Sequence, residues 1–389
     1  MLQGAVGRIE DLDWECVDAD TQYLTHSIHR YSSKFIPQIG RQAIQLLTQP
    51  GDLVLDPYCG SGTVLLECSL SQRRSIGIDL NPVAVLISKV KTTPVGRARL
   101  QDFVQRMEAR LIPGTGCGHS IEEMMGMASR DPRCSDSWYR KWFRDDVLLE
   151  LIAIDREIAA ERDAECRDIA RVAFSDILRR CSNAHQGYPN VMLDKNRGMA
   201  PLPAPEFTRR LREISRSVGE LDSALAGAPI SDVIWGRAES IALADCSVDA
   251  VITHPPYIGS VPYAEYGLLS LVWLGHDPKR LDEELTGGKR HSADVVERFE
   301  AGLRGMLRES LRVLKPGAFL FMVLGDPTVR GDRVDLRRMA TRNASSLGFG
   351  LAAEHHRQGI NRRANLMGRE SLLFFRKDPA SRQVSLHHA

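Results

Sequence analysis

The sequence predicts an α/β fold: a mostly parallel, doubly wound sheet with an antiparallel hairpin at its edge and a helical insertion. Three features carry that expectation. A strand, a glycine-broken turn, a helix and a second strand follow one another between Leu53 and Asp79. A stretch from about Val95 to Pro229 shows helical periodicity without strands, and apolar strands resume at Asp232.

Taking the elements in order, Phe35, Ile36, Ile39, Ala43, Ile44 and Leu47 recur at helical spacing, and Pro50-Gly51 stops that helix before the strand Leu53-Val54-Leu55. A helix from Gly62 to Leu70 and a second strand, Ser75 to Asp79, complete a right-handed parallel unit. Asn81-Pro82 opens another helix, Val83 to Lys91. In the insertion, Leu100, Phe103, Val104, Met107 and Leu111 mark one amphipathic helix. Phe143, Val147, Leu151, Ile154 and Ile158 mark a second, and Ile169, Ala173, Ile177 and Cys181 a third. A fourth, Phe207 to Leu225, runs at near-heptad spacing, while Gly114 to Ser137 carries no clear pattern. The sheet returns at Asp232–Trp235, Val248–Thr253 and Ala318–Leu324, the last preceded by a helix end broken at Pro316-Gly317. Phe349–Ala353 and Ser371–Phe375 are expected to pair antiparallel at the edge. The resulting organisation is a lid segment and cofactor half over 1–94, the insertion over 95–229, a catalytic half over 230–378 and a disordered tail over 379–389.

Composition narrows the class. The chain has 389 residues, is 43% hydrophobic and carries a formal net charge of +1, values of an ordinary globular protein whose charge does not announce a nucleic-acid partner. No apolar run approaches the roughly 20 residues a membrane-spanning helix needs, and the N-terminal stretch is acidic where a secretory signal would be apolar, so no membrane contact and a cytoplasmic address are expected. The eight cysteines form no CxxC pair and no zinc-ligand cadence, so reduced thiols and no metal are expected.

Two short segments carry chemistry. Asp56-Pro57-Tyr58-Cys59-Gly60-Ser61-Gly62-Thr63 joins strand to helix, where backbone amides can approach a small polar ligand. Asp79, ending the next strand, is placed to accept hydrogen bonds from ribose hydroxyls. No GxGxxG spacing argues for a dinucleotide and no GxxxxGK[ST] loop for a nucleoside triphosphate, so an adenosine cofactor without phosphates fits better. The second segment, Thr253-His254-Pro255-Pro256-Tyr257, ends another strand with two prolines, which stiffen it, remove amide donors and leave carbonyl oxygens free to accept hydrogens. Tyr257 adds a stacking face. Cytosine C5 chemistry is set aside because it needs a thiolate after a proline, and no Pro-Cys pair occurs; Cys59 is expected to pack beneath the cofactor.

Residues 56 to 63 resemble the first motif, commonly DPFCGSGT, of the amino-methyltransferases of DNA, and Gly77-Ile-Asp-Leu-Asn-Pro82 resembles their second. His26-Ser-Ile-His-Arg-Tyr-Ser-Ser-Lys-Phe-Ile-Pro-Gln38 is similar to the segment H-x-x-H-x-Y-P-A-K-F-I-P-Q that precedes the cofactor loop in one branch, and residues 253 to 257 resemble the loop [DNS]-P-P-[YFW]. The resemblance implies a Rossmann-like methyltransferase that takes a methyl group from S-adenosylmethionine. It implies a lid in which Lys34, Phe35 and Ile36 lie nearest the methionine part, second-motif contacts at Leu80 and Asn81, and adenine contacts within Trp235-Gly-Arg237-Ala238-Glu239. Thr253 points to the TSPPY form usual at cytosine N4, but His254 stands where the family has Ser, Asp or Asn, which opens the choice to adenine N6. An exocyclic amine of tRNA or rRNA, and a silent nucleic-acid-binding scaffold, stay open as well.

The partner implied is double-stranded DNA with its target base flipped, and a cognate restriction or defence protein is a further candidate. Recognition would sit in the insertion, where Arg179, Arg180, Asn183, Lys195 and Arg197 are candidate nucleic-acid contacts, with a solvent-facing helix end as the plainer alternative. Arg330, Arg333, Arg337 and Arg338, together with Arg362-Arg363, could flank the same groove.

Overall fold

The computed structural model describes residues 9–32, 34–111, 121–188, 190–256, 258, 262–288, 292–358 and 369–379. Its centre is a seven-stranded sheet built from β1 (Leu53–Asp56), β2 (Arg74–Asp79), β3 (Asp232–Trp235), β4 (Val248–Thr253), β5 (Leu314–Gly325), β8 (Phe349–Gln358) and β9 (Arg369–Lys377) in the order β3-β2-β1-β4-β5-β9-β8. Strands β1 to β5 run parallel, β9 runs antiparallel to β5, and β8 antiparallel to β9. The expected hairpin is thus present, with β9 inside the sheet and β8 alone at the edge. The short strands β6 (Thr328–Val329) and β7 (Asp332–Arg333) form a separate ribbon.

Alternation along the strands assigns two core layers, because successive side chains point to opposite faces. Leu55, Val251, Leu320, Met322, Leu373 and Phe375 face one way and pack with α13 (Val295–Val313) and α14 (Leu336–Leu347). Val54, Ala250, Ile252, Phe321, Val323 and Phe374 face the other way, towards α1 (Pro37–Leu47), α2 (Thr63–Leu70) and Trp14. Helix α3 (Pro82–Thr92) starts at an Asn81 cap whose Oδ1 accepts the Val83 amide at 3.0 Å.

A third core belongs to the helices that follow α3 and precede β3: α4 (Arg97–Leu111), α5 (Ile121–Ala128), α6 (Ser137–Trp142), α7 (Asp145–Ala160), α8 (Ala164–Cys181) and α9 (Pro203–Ala224). The apolar stripes Leu100/Phe103/Met107, Val147/Leu151/Ile154, Ile169/Ala173/Ile177 and Phe207/Leu211/Ile214 meet there. Trp273 joins them from the segment after β4, with Phe143, Phe174 and Tyr139 edge-on to its ring and the Arg133 guanidinium 4.9 Å above it. Trp273 ends α11 (Leu268–Trp273), which lies between α10 (Tyr263–Tyr266) and α12 (Pro278–Glu284).

Pro316-Gly317 does not break the chain into helix, loop and strand. Helix α13 passes directly into β5 at Leu314, and Gly317, with φ of +79°, absorbs the register shift against β4. Among the described residues, no helix is long and apolar enough to cross a membrane.

Candidate active site

Strands β1 and β4 are neighbours, with Leu55 opposite Val251, so the segments leaving their carboxyl ends emerge side by side. The Thr253 hydroxyl donates to Asp56 Oδ1 at 2.7 Å and ties the two segments at their roots. Above that bond lies a cleft of about 630 Å³. Pro57, Tyr58 and Gly60 line it from the first turn, Asp79, Leu80 and Asn81 from the second, Gly236 to Glu239 from the segment after β3, and His254 and Pro256 from the fourth.

The first turn is shaped by close approach. Gly62, at φ +77°, caps α2, and a Cβ there would stand 2.8 Å from Ser88 Oγ and 3.1 Å from Ser88 Cα. A Cβ on Gly77 would meet Leu65 at 2.5 Å and Cys59 Sγ at 2.9 Å. Cys59 therefore packs against β2, its amide donating to Ile78 O at 3.0 Å, and burial pushes its thiol well above the ordinary range. Ser61 Oγ accepts a hydrogen from Lys91 Nζ at 3.2 Å, and burial pushes this fully enclosed lysine well down. Thr63 begins α2 and is buried.

The carboxyl group of Asp79 lines the cleft, and that of Asp56 is buried at the end of β1 next to it. Asp79 accepts the amides of Gly60 and Asn81, each at 2.8 Å, yet burial pushes its pKa up to about 6. Burial likewise pushes Asp56 up to about 7 against the opposing pull of the Thr253 hydroxyl and the Tyr58 amide. A cationic ligand beside them would favour both ionised forms, and Asp79 would still hold acceptor capacity for ribose hydroxyls. The residues present therefore fit S-adenosylmethionine, with Asp79 for the sugar and the narrow glycine turn for the part that must approach backbone.

The far end closes through a chain of hydroxyls: Tyr58 OH donates to Thr286 Oγ1 at 3.4 Å, and Thr286 Oγ1 donates to Glu239 Oε1 at 2.7 Å. Arg237 pairs with Glu284 at 2.8 Å at the mouth. Tyr31, Tyr263 and the segment Glu284 to Thr286 line the same cleft and were outside the expected site. Tyr31 was findable, since it is the aromatic position of the segment His26 to Gln38; the others lie in stretches without a motif.

His254 sits in this wall with its ring 5.4 Å from that of Phe35. Burial pushes its imidazole below the ordinary value, with Glu370 opposing and Arg357 reinforcing, so the ring is neutral near pH 7. Lys34 and Ile36 stand further back. Lys34 Nζ donates to the carbonyls of His26 at 2.9 Å and His29 at 2.7 Å, and burial brings its pKa down to about 8. Ile36 precedes α1. The two histidines of this segment anchor it: His26 Nε2 lies 2.9 Å from Glu67 Oε1, and His29 Nε2 lies 3.0 Å from Ser175 Oγ of α8.

The arginines of the insertion are engaged locally. Arg179 donates to the carbonyls of His185, Tyr188 and Asn190, Arg197 to those of Ala184 and Arg180, and Arg180 pairs with Glu206 at 2.9 Å. Asn183 Nδ2 donates to Lys141 O at 3.2 Å, and Lys195 is exposed. Tyr257, Arg362 and Arg363 lie outside the described residues.

Sheet order, the glycine turn and the carboxylate ending β2 make a Rossmann-like α/β site whose lining fits S-adenosylmethionine. A family model described as DNA methylase, of the N6/N4 amino-methyltransferase type, matches residues 17–90. The type II methyltransferase M.MvaI of Kocuria varians is 25% identical over 367 residues, covering 81% of this chain and 79% of its own. M.BsoBI of Geobacillus stearothermophilus is 23% identical over 66% of this chain and 54% of its own, and M.MjaII of Methanocaldococcus jannaschii is 38% identical over 21% of this chain and 16% of its own. Over these spans the chain is similar to the S-adenosylmethionine-dependent amino-methyltransferases of DNA.

Proposed function

We propose that this chain methylates the N4 amine of a cytosine swung out of duplex DNA into the cleft. The observation that supports it most is the sharing of one cleft by Pro57, Tyr58, Gly60, His254 and Pro256, rooted in the bond between Thr253 and Asp56. Thr253 before the paired prolines favours cytosine over adenine. S-adenosylmethionine supplies, when bound, a methyl group on a positively charged sulfur.

The residues do the positioning. Asp79 and the segment Gly236 to Ala238 hold the nucleoside end. The carbonyl oxygens of the proline corner accept amine hydrogens and so aim the nitrogen lone pair into the cleft. An amine so aimed would be placed to take the methyl group that the bound cofactor would supply, and would then have one proton to lose. His254, neutral and within the wall, accepts that hydrogen as a bond or as a proton. Lys34 and Ile36 act by fixing the lid segment, Phe35 by backing His254, and Tyr257 by stacking on the base.

Similarity to the type II methyltransferases M.MvaI and M.BsoBI supports a role in a restriction–modification pair, with a separate nuclease as partner. The test is incubation with methyl-labelled S-adenosylmethionine and DNA or RNA, followed by nucleoside mass spectrometry. N4-methylcytosine from DNA is the expected product. N6-methyladenine would overturn the target base, label in RNA alone the polymer, and no label in either the function.

A further inference from the structure

Large apolar side chains scattered singly over a surface need no explanation, but a cluster does. Of the ten exposed large apolar side chains among the described residues, five fall between 188 and 202: Tyr188, Met192, Leu193, Met199 and Leu202. Tyr188, Met192 and Leu193 belong to a segment that is built rather than loose. Ala184 and Leu193 form an antiparallel bridge, His185 N donates to Met192 O at 2.8 Å, and Asp194 N donates to Asn183 O at 2.9 Å. Arg179 reaches from the end of α8 to bind the carbonyls of His185, Tyr188 and Asn190, so one guanidinium holds the turn together. The result is a stapled finger with Tyr188 near its tip, 55% exposed, its ring centroid 4.7 Å from that of His185.

The finger stands beside the active site. A second, open pocket is lined by Gln186 and Val191 of the finger and by Arg30, and shares Tyr31, Asn81 and Tyr263 with the cofactor cleft. Asn190 Nδ2 donates to Glu265 Oε2 of α10 at 3.0 Å, tying the finger to the same wall. Lys195, exposed at its base, offers a cation to phosphate.

We propose that this finger enters the DNA duplex and that Tyr188 occupies the gap in the base stack left by the base extruded into the cleft. Extrusion costs unpairing and unstacking, and a side chain that fills the vacancy lowers that cost. An aromatic ring suits the place because it stacks on either neighbouring base whatever the sequence. The inference rests on the DNA-methylation reading above.

The experiment compares wild type with Tyr188→Ala and Tyr188→Phe on two duplexes carrying the methylation site first mapped with the wild-type protein. One duplex is intact and the other has an abasic position opposite the target base, where extrusion is already cheap. On the intact duplex Tyr188→Ala is expected to lose about tenfold in kcat/KM, and on the abasic duplex less than about twofold. A base analogue beside the target should lose its extrusion fluorescence only in the alanine variant. Tyr188→Phe should match wild type on both, and cofactor affinity should be equal in all three, which also reports folding. Equal activity of Tyr188→Ala and wild type on the intact duplex, or the same deficit on both duplexes, would overturn the finger's role while leaving the methylation reading intact. If the wild type labels no DNA at all, the methylation reading fails first and this one falls with it.

Discussion

In the cofactor half, the polar groups that meet the ligand are fixed by backbone: Asp79 is held by two amides and Asp56 by one amide and a hydroxyl. In the insertion the arrangement is inverted, with arginine side chains holding loop carbonyls while apolar side chains meet solvent. The difference teaches what each region recognises. On the proposed reading, a small cofactor would be bound by preorganised groups, whereas a duplex would be met by a scaffold that presents a shape, its cations used partly to keep that shape.

This contrast can be broken in several places. The largest effect is expected at the catalytic corner: His254→Ala should lower kcat by about 100-fold with unchanged cofactor affinity, measured by stopped assays beside calorimetry. An equal loss of cofactor binding would place His254 with the ligand cradle instead. Asp79→Ala should weaken cofactor binding by roughly 10- to 100-fold, the range for a lost charged hydrogen bond, and leave the salt dependence of DNA binding untouched.

The pH dependence follows with its sign. Asp79 titrates at about 6 in the folded protein, above the ordinary carboxylate value, so its ionised acceptor form is present above that pH and lost below it. Cofactor affinity is therefore expected to fall as pH drops through about 6, and Asp79→Asn should flatten the profile. The same raised pKa means that the ionised carboxylate costs folding stability, a cost present above about pH 6 and relieved as the pH falls towards the unfolded value.

Smaller effects probe the insertion. Arg179→Ala leaves three carbonyls without their donor and should lower stability by about 1–2 kcal/mol, raising KM for DNA without changing cofactor affinity. Lys195→Ala should weaken DNA binding uniformly and reduce the salt slope by about one; Arg180→Ala, whose charge is paired with Glu206, should change it less. Equal slopes for the two variants would erase the distinction between stapling and contacting cations.

Particular residues show how far the chain was readable. Period-two alternation in Val54/Leu55 and Phe321/Met322 and helical spacing in the insertion predicted strands and helices because burial demands those repeats. Helices α10, α11 and α12 span four to seven residues, too few to display a period. Helix α13 has the repeat Val295, Phe299, Leu303, Met306, of which only the end, before Pro316-Gly317, was marked by a flanking signal. In the site, the glycine turn and Asp79 were legible because ligand approach restricts residue type. The closure by Thr286 and Glu239 was not, since it joins positions far apart in the chain through ordinary hydroxyl and carboxylate groups. The stapling role of Arg179 was hidden for a similar reason: an arginine at a helix end looks the same whether it binds phosphate or carbonyl oxygen.

One small feature couples these regions mechanically. His29 of the lid meets Ser175 of the insertion, and Ser175 Oγ in turn donates to Ser270 Oγ of α11 at 2.7 Å. Short hydroxyl side chains give such a rivet little slack, so the insertion cannot swing away from the reaction chamber without stranding an enclosed imidazole. Arg210 of α9 adds donors to the carbonyls of Ser27 and Ile28, so the N-terminal segment, the insertion and α11 would shift together rather than apart.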